Sequence, residues 1–90
     1  MRLGRHYLIV GRVQGVGFRF FACSAAAREG LHGWVRNLSD GGVEIVAEGE
    51  AESLDRFEQQ MRQGPRASRV VHVEVSDVGA SGNDSGFGIR

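Results

Sequence analysis

The sequence predicts an α+β domain in which two helices cover one face of an antiparallel sheet. Residues 43–50 and 71–75 alternate apolar and polar side chains, as half-buried strands do. Residues 19–29 and 51–65 instead repeat apolar side chains at helical spacing. Glycine, Asp-Gly and Gly-Pro signals separate these stretches, so the predicted order is β-α-β-β-α-β.

The first strand and the first helix flank a glycine-rich turn. His6–Val13 is apolar and β-prone, which predicts a strand. Arg19–Glu29 then predicts a helix. Its apolar face comprises Phe18, Ala22, Ala25 and Ala26. Gly30 suits the position that ends a helix, with Leu31 as the apolar residue that follows it.

A hairpin is predicted in the middle of the chain. Residues 31–37, "LHGWVRN", read as its first strand, and Ser39–Gly42 contains Asp-Gly, a strong hairpin turn signal. Val43–Glu50 reads as its second strand, with Glu44 and Glu48 on the polar face. We expect these two carboxylates to face solvent.

The last third of the chain predicts a helix, a strand and a tail. The apolar face of the helix comprises Leu54, Phe57 and Met61, at positions i, i+3 and i+7. Gly64–Pro65 ends this helix, and residues 68–78 predict the fourth strand. Residues 79–86 form a polar loop, and residues 87–90 a short final strand or tail.

This order of elements is the split β-α-β, or ferredoxin-like, plan. It predicts a four-stranded antiparallel sheet with two helices on one face and a short C-terminal strand. Both crossovers should be right-handed. Ninety residues without an internal repeat or linker predict a single domain spanning residues 1–90.

Composition excludes several classes of function. The chain has 11 acidic and 11 basic residues, which argues against a nucleic-acid partner. Its one cysteine cannot form an internal disulfide. The apolar run near the N-terminus is too short for a signal sequence or a membrane span. We therefore expect a cytoplasmic monomer that has no membrane partner.

The stretch "GRVQGVGFRFF", residues 11–21, carries the main functional signal. Glycines between a strand and a helix can simply provide a tight turn with positive φ. They can also let backbone N–H groups converge on an anion at a helix N-terminus, where Arg19 would add a planar fork of donors. The spacing favours anion binding slightly over a plain turn.

Two other glycine-rich motifs do not fit this stretch. A Walker A loop needs a lysine, and the chain has none. A dinucleotide-binding loop needs a third glycine where Phe20 stands, and no parallel sheet is predicted after it.

The same stretch, followed by "GLHGWVRNLSDGGVEIVAEG" and a C-terminal "FGIR", resembles the acylphosphatase family over nearly the whole chain. The resemblance implies a ferredoxin-like fold and hydrolysis of acyl phosphates, which are small-molecule substrates, without a cofactor. It implies that Arg19 is catalytic and holds the substrate phosphate. The backbone amides of Gly15, Val16, Gly17, Phe18 and Arg19 would bind the same phosphate.

By the same resemblance, Asn37 is the catalytic asparagine that positions the attacking water. Leu38 follows it where animal members of the family usually have threonine, and "RNL" followed by Asp-Gly is similar to the bacterial branch. No hydroxyl can therefore orient Asn37 from position 38. Ser39 or backbone groups are the alternatives.

The remaining polar residues suggest no second site. His6, His32 and His72 lie on three predicted strands without ligand spacing, so we expect no metal. Cys23 and Arg28 are separated by four residues, whereas a thiol phosphatase loop has five. The other glutamates are expected on a solvated surface.

Two other classes of function compete with an acyl phosphate hydrolase. One is a non-catalytic module of the same fold that binds an anion or a phosphorylated metabolite, which would not need Asn37. The other is a ferredoxin-like RNA-binding or metal-carrier domain. RNA-recognition modules need exposed aromatic side chains on central strands, and metal carriers of this fold use a CxxC motif. Neither pattern is present.

Overall fold

The structure, a computed structural model, describes residues 1–82 and 84–90. The predicted order of helices and strands is confirmed, and a short C-terminal strand follows it. The elements are β1 (Arg2–Arg12), α1 (Phe18–Arg28), β2 (His32–Asn37), β3 (Val43–Glu50), α2 (Ala51–Gln63), β4 (Arg69–Val78) and β5 (Phe87–Ile89). Neither described helix has the length and apolar composition needed to cross a membrane. The polar loop predicted for residues 79–86 includes Asn83, which lies outside the described residues.

Strand β1 begins four residues before the predicted strand. Arg2 pairs with Glu50 and Arg5 with Ala47, so the early residues continue the ladder between β1 and β3. Arg5 Nη1 donates a hydrogen bond of 2.8 Å to Asp55 Oδ1 on α2. An arginine on the side that faces the helices interrupts the apolar alternation, which is why the pattern indicated a later start.

The sheet has the strand order β4-β1-β3-β2-β5. Strands β1 to β4 pair antiparallel, as predicted, but β5 pairs parallel to β2. The prediction of a four-stranded antiparallel sheet is therefore wrong in this detail, because the sheet is five-stranded and mixed. Strand β4 ends at the same end of the sheet at which β2 begins. A strand that enters beside β2 from that end must run parallel to it.

Two backbone hydrogen bonds at the ends of β5 hold it in this register. The N–H of Gly33 donates to the carbonyl oxygen of Gly86 at 3.0 Å, and the N–H of Arg90 donates to that of Val35 at 2.9 Å. The four-residue segment after residue 86 is too short to show a period, so its sequence could not reveal its pairing.

Both helices pack on one face of the sheet and share one core. The predicted apolar faces of the helices are confirmed. The buried helical residues are Phe18, Ala22, Ala25 and Ala26 on α1, and Leu54, Phe57 and Met61 on α2. Tyr7, Ile9, Val35, Val43 and Ile45 are the main sheet residues that meet them. The small alanine face of α1 lets that helix lie close to the sheet.

The end of α1 confirms the predicted role of Gly30. Its φ angle is +68°, which is the left-handed region that glycine occupies at low cost. The N–H of Leu31 donates to the carbonyl of Ala26 at 2.9 Å, and the N–H of Gly30 donates to that of Ala27 at 3.2 Å. This pair of bonds is a Schellman motif, which satisfies the last carbonyls of the helix.

Strand register fixes which segments meet at one end of the sheet. Ile9 of β1 pairs with Val43 of β3, and Val43 also pairs with Asn37 of β2. We call this edge, where β1 and β2 end and β3 begins, the loop end of the sheet. With about 4.8 Å between neighbouring strands, the backbones of Ile9 and Asn37 are about 10 Å apart.

Glu48 contradicts the expectation of a solvated acidic surface. It is buried, with only 5% of its surface exposed. The N–H and hydroxyl of Ser81 donate to its Oε1 at 3.0 and 2.6 Å, and the N–H of Gly82 donates to Oε2 at 3.1 Å. Arg2 Nη2 lies 3.2 Å from the same Oε2. The segment after β4 therefore covers this carboxylate, which alternation along β3 could not reveal.

Glu44, on the same face of β3, is also less exposed than predicted. It is half-buried between two donors: His6 Nε2 lies 2.7 Å from its Oε2, and Arg36 Nε donates to its Oε1 at 2.6 Å. These hydrogen bonds lower the pKa of its carboxyl group.

Glu48→Gln is expected to lower the free energy of unfolding by about 2 kcal/mol at pH 7. Hydrogen bonds from Ser81 lower the pKa of Glu48 from 4.5 to about 2. Because the folded pKa is depressed, the stabilisation is complete above pH 4.5 and is lost as pH falls towards 2. Urea unfolding at pH 7 and pH 3 should therefore show a smaller pH effect in the variant than in the wild type.

Asp77→Asn is the control for this experiment, because Asp77 is an exposed carboxylate on β4. Its substitution is expected to change the unfolding free energy by less than about 0.5 kcal/mol. An equal pH dependence in wild type and Glu48→Gln would show that Glu48 is not the group that links stability to acid.

Candidate active site

The loop between β1 and α1 has an alternating backbone conformation. Gly15 and Gly17 have φ angles of +72° and +78°, whereas no non-glycine residue in the described part of the chain has a positive φ. Val16 therefore lies between two left-handed glycines. Such alternation turns successive N–H groups towards one side and forms an anion-binding concavity called a nest. The glycines can therefore serve both purposes: they provide a tight turn with positive φ, and they can direct backbone N–H groups at an anion.

The amide hydrogens of this loop are free of partners within residues 1–82 and 84–90. Gly17 occupies the N-cap of α1 without a side-chain cap, and the first helical bond runs from the N–H of Phe21 to the carbonyl of Gly17 at 3.0 Å. Among the described residues, no acceptor receives the N–H groups of residues 15–20. Six free donors beside the positive end of a helix dipole form a favourable site for an anion.

Arg19 is the second residue of α1 and stands directly beside these amides. Its side chain is half-buried. No residue in the described ranges forms a hydrogen bond or ion pair with its guanidinium group. All five N–H donors of its planar fork are therefore available to a ligand.

The side chains of four of the 11 arginines have no ion pair, hydrogen bond or aromatic contact with the part of the chain that the structure describes. These are Arg12, Arg19, Arg66 and Arg69. All four lie at the loop end of the sheet: Arg12 pairs with Arg69, and the turn that contains Arg66 packs its Gly64 near the ring of Phe18. A formally neutral chain thus carries unpaired positive charge at one end, which attracts anions.

Asn37 lies at the same end and on the same face as the start of α1. It is the last residue of β2, and its strand neighbour Val35 is buried under the helices. Side chains two apart on a strand share a face, so the carboxamide of Asn37 projects towards the helical side. It is exposed, and no described residue hydrogen-bonds its side chain.

Gln14 is a site residue that sequence reasoning missed. Its Nε2 donates to the carbonyl oxygens of Leu38, at 2.7 Å, and of Gly42, at 2.9 Å. The glycine-rich loop is thereby attached to the hairpin that begins directly after Asn37. Gln14 is part of the motif, but a bond from its side chain to a backbone group 24 residues away has no signature in the sequence.

The predicted Asp-Gly hairpin turn is confirmed. The N–H of Leu38 donates to the carbonyl of Gly42 at 2.9 Å, and the N–H of Gly42 donates to Asp40 Oδ1 at 2.9 Å. Gly41 has a φ angle of +96°, which explains a glycine there. These bonds close the turn at its base, immediately after β2.

The other nucleophile and ligand candidates stay outside this site. Burial raises the pKa of the Cys23 thiol, which disfavours the reactive thiolate. Arg28 donates to Gln60 Oε1 at 2.8 Å, at the far end of α1. Within residues 1–82 and 84–90, no group of three or more His, Cys, Asp or Glu side chains is placed to hold a metal ion.

Gly17→Ala is expected to weaken binding of inorganic phosphate about tenfold and to lower the unfolding free energy by about 1 kcal/mol. A Cβ at Gly17 would meet no atom within 4 Å, so the cost comes from the left-handed backbone angle. Relaxation of that angle would turn the amides away from a common point. Calorimetric titration with phosphate and urea unfolding would measure the two effects.

Gly30→Ala is the matched control, because Gly30 has a φ angle of +68° and equally open space. It should lose the same stability and keep wild-type affinity for phosphate. Equal losses of affinity in both variants would contradict a specific role for the loop.

Comparisons of the sequence and of the structure with known proteins all point to one family. The family model described as Acylphosphatase matches residues 5–89. An acylphosphatase of Koribacter versatilis (strain Ellin345) is 51% identical over 86 residues, covering 96% of this chain and 78% of the relative. An acylphosphatase of Pseudomonas paraeruginosa (strain DSM 24068 / PA7) is 46% identical over 99% of this chain and 97% of its own. The crystal structure of acylphosphatase from Bacillus subtilis superposes with a TM-score of 0.94 at 38% identity, covering 98% of both chains.

Proposed function

The chain belongs to the acylphosphatase family, and we propose that its glycine-rich loop, Arg19 and Asn37 perform the hydrolysis of an acyl phosphate. The products of this hydrolysis are a carboxylate and inorganic phosphate. In the proposed mechanism the amides of residues 15–19 and the guanidinium of Arg19 hold the phosphate. Asn37 holds the water that attacks phosphorus.

The chemistry of the substrate explains why so few side chains suffice. An acyl phosphate is a mixed anhydride, and its leaving carboxylate has a conjugate acid with a pKa of about 4. The leaving group can depart unprotonated at neutral pH, so no general acid is required. The site must supply stabilisation of charge on the phosphoryl oxygens and a water aligned with the bond that breaks.

Atoms and protons balance without a protein base. The water oxygen bonds to phosphorus as the bond from phosphorus to the acyl oxygen breaks. One water proton passes to a phosphoryl oxygen of the substrate, and the other stays on the attacking oxygen. A dianionic acyl phosphate thus gives a carboxylate and H₂PO₄⁻. The carboxamide of Asn37 can both accept from and donate to the water during this step.

One observation carries the proposal: among the described residues, neither the amides of residues 15–20 nor the guanidinium of Arg19, which belongs to the same segment, has a partner. Strand register supports a partnership with Asn37, because β1 and β2 end at the same edge of the sheet. A module that only binds an anion would need the loop and Arg19 but would have no use for Asn37.

Hydrolysis of benzoyl phosphate in the presence of a chelator tests this function. We expect the same turnover with and without EDTA, because the proposed mechanism uses no metal ion. An alkyl phosphate ester should not be hydrolysed, since its far more basic leaving alkoxide needs a general acid. Loss of turnover with EDTA would contradict the metal-free mechanism, and phosphate binding without turnover would indicate a binding module. The cytoplasmic location, the monomeric state and the single-domain extent stay predictions.

A further inference from the structure

We propose that Gln14 is a positioning residue that sets the distance between the phosphate-holding amides and the water-holding Asn37. This inference rests on the proposed function, because it assigns no new chemistry to the site. It concerns how two segments that are far apart in sequence reach one working geometry.

The side chain of Gln14 binds two backbone groups of the hairpin at once. One amide nitrogen donates to two carbonyl oxygens, those of Leu38 at 2.7 Å and Gly42 at 2.9 Å, and so uses both of its hydrogens. Both acceptors also take part in the turn itself, because Leu38 O accepts from the N–H of Gly41 and Gly42 O from that of Leu38. Gln14 therefore binds the closed base of the hairpin.

The position of Gln14 in the chain gives this contact its consequence. Gln14 is followed by Gly15, which supplies the first of the proposed phosphate-binding amides. One of the two carbonyl groups that accept from Gln14 belongs to Leu38, the residue after Asn37. The side chain of Gln14 and its hydrogen bond to Leu38 therefore connect the residue before Gly15 with the residue after Asn37. The loop is otherwise fixed by the buried side chains of Val13 and Phe18, on either side of Gly15 and Gly17.

This contact can hold Asn37 in place although residue 38 is a leucine and offers no hydroxyl to orient it. A side-chain amide from the opposite segment fixes the backbone directly after Asn37, through the carbonyl of residue 38. A misplacement of about 1 Å between reacting groups can reduce a rate about a hundredfold. Loss of the hydrogen bonds from Gln14 to the hairpin should therefore lower kcat more than it lowers the affinity for phosphate.

Gln14→Met keeps the length of the side chain and removes both donors. We expect kcat for benzoyl phosphate to fall about 10–100-fold, while the inhibition constant of inorganic phosphate changes less than threefold. Gln14→Asn, which is polar but one methylene shorter, should behave in the same way and serves if the methionine variant folds poorly. Gln60→Met, which removes a glutamine between the two helices, should keep wild-type kcat and binding.

A double-mutant cycle with Asn37→Ala separates positioning from general structural support. If Gln14 acts through Asn37, Gln14→Met should lower kcat less than threefold further in the Asn37→Ala background. An equal loss of kcat in both backgrounds would overturn the proposal, and so would a kcat within threefold of wild type in Gln14→Met. Failure of the proposed function would appear separately, as wild-type turnover in the single variants of Arg19 and Asn37.

Discussion

Replacement of Arg19 with glutamine is expected to lower kcat for benzoyl phosphate at least about a thousandfold. A planar guanidinium can grip two phosphoryl oxygens and neutralise the charge that builds up on them in the transition state. Glutamine keeps a polar side chain but has neither the positive charge nor the fork. Steady-state hydrolysis of benzoyl phosphate at high enzyme concentration would measure the residual rate.

The same variant should fold as well as the wild type. No described residue pairs with the Arg19 side chain, so its removal leaves no protein group unsatisfied. We expect the free energy of unfolding to change by less than about 0.5 kcal/mol in urea titrations. A loss of activity that came with a large loss of stability would point to a structural role for Arg19.

Arg66→Gln is the control for charge alone. Arg66 is exposed, unpaired among the described residues and located at the same end of the sheet. Its substitution removes one positive charge near the site and should lower kcat/KM less than about threefold at 0.1 M salt, where exposed charges are screened. Comparable losses in the two variants would mean that general positive charge, and not the position of Arg19, drives the reaction.

Local sequence patterns predicted the scaffold well where a single element carries its own signal. The spacing of Leu54, Phe57 and Met61 identified the buried face of α2, and that of the alanines identified the buried face of α1. Gly30 marked a helix end because only a left-handed backbone angle closes a Schellman motif there. Such features depend on a few neighbouring residues, so a short stretch of sequence is enough to predict them.

The features that the sequence did not reveal depend on contacts between distant segments. Glu48 alternates like a surface residue, but Ser81 and Gly82 cover it from more than 30 residues away. Strand β5 has only three residues, and it is a strand because it pairs with β2 at the edge of the sheet. The bonds from Gln14 to the hairpin are of the same kind.

The candidate site falls between these two cases. The glycines and Arg19 form one local motif, so spacing alone indicated an anion loop. The roles of Arg19 and Asn37 followed from the family resemblance, because no local pattern links residues 19 and 37. The register of three strands gives the physical basis of that link: β1 and β2 are both antiparallel to β3, so both end where β3 begins.

Asn37→Ala is expected to lower kcat about 100–1,000-fold and to leave the inhibition constant of inorganic phosphate within threefold of wild type. The proposed task of the carboxamide is to hold water and not phosphate, so its loss should affect the rate and spare the affinity. Its side chain is exposed and unpaired among the described residues, so we expect little change in stability. Benzoyl phosphate kinetics with phosphate as a competitive inhibitor would measure both constants.

Two further substitutions make this result specific. Asn37→Asp keeps the shape but places a negative charge beside a dianion, so it should weaken phosphate binding as well as lower kcat. Ser39→Ala removes the hydroxyl two residues after Asn37 and should keep kcat within threefold, since Gln14 and the hairpin backbone hold this segment. If kcat and phosphate affinity fell together in Asn37→Ala, the carboxamide would be a phosphate ligand. A large loss of kcat in Ser39→Ala would instead indicate that the Ser39 hydroxyl orients Asn37, because the hydrogen bonds from Gln14 to the hairpin are intact in that variant.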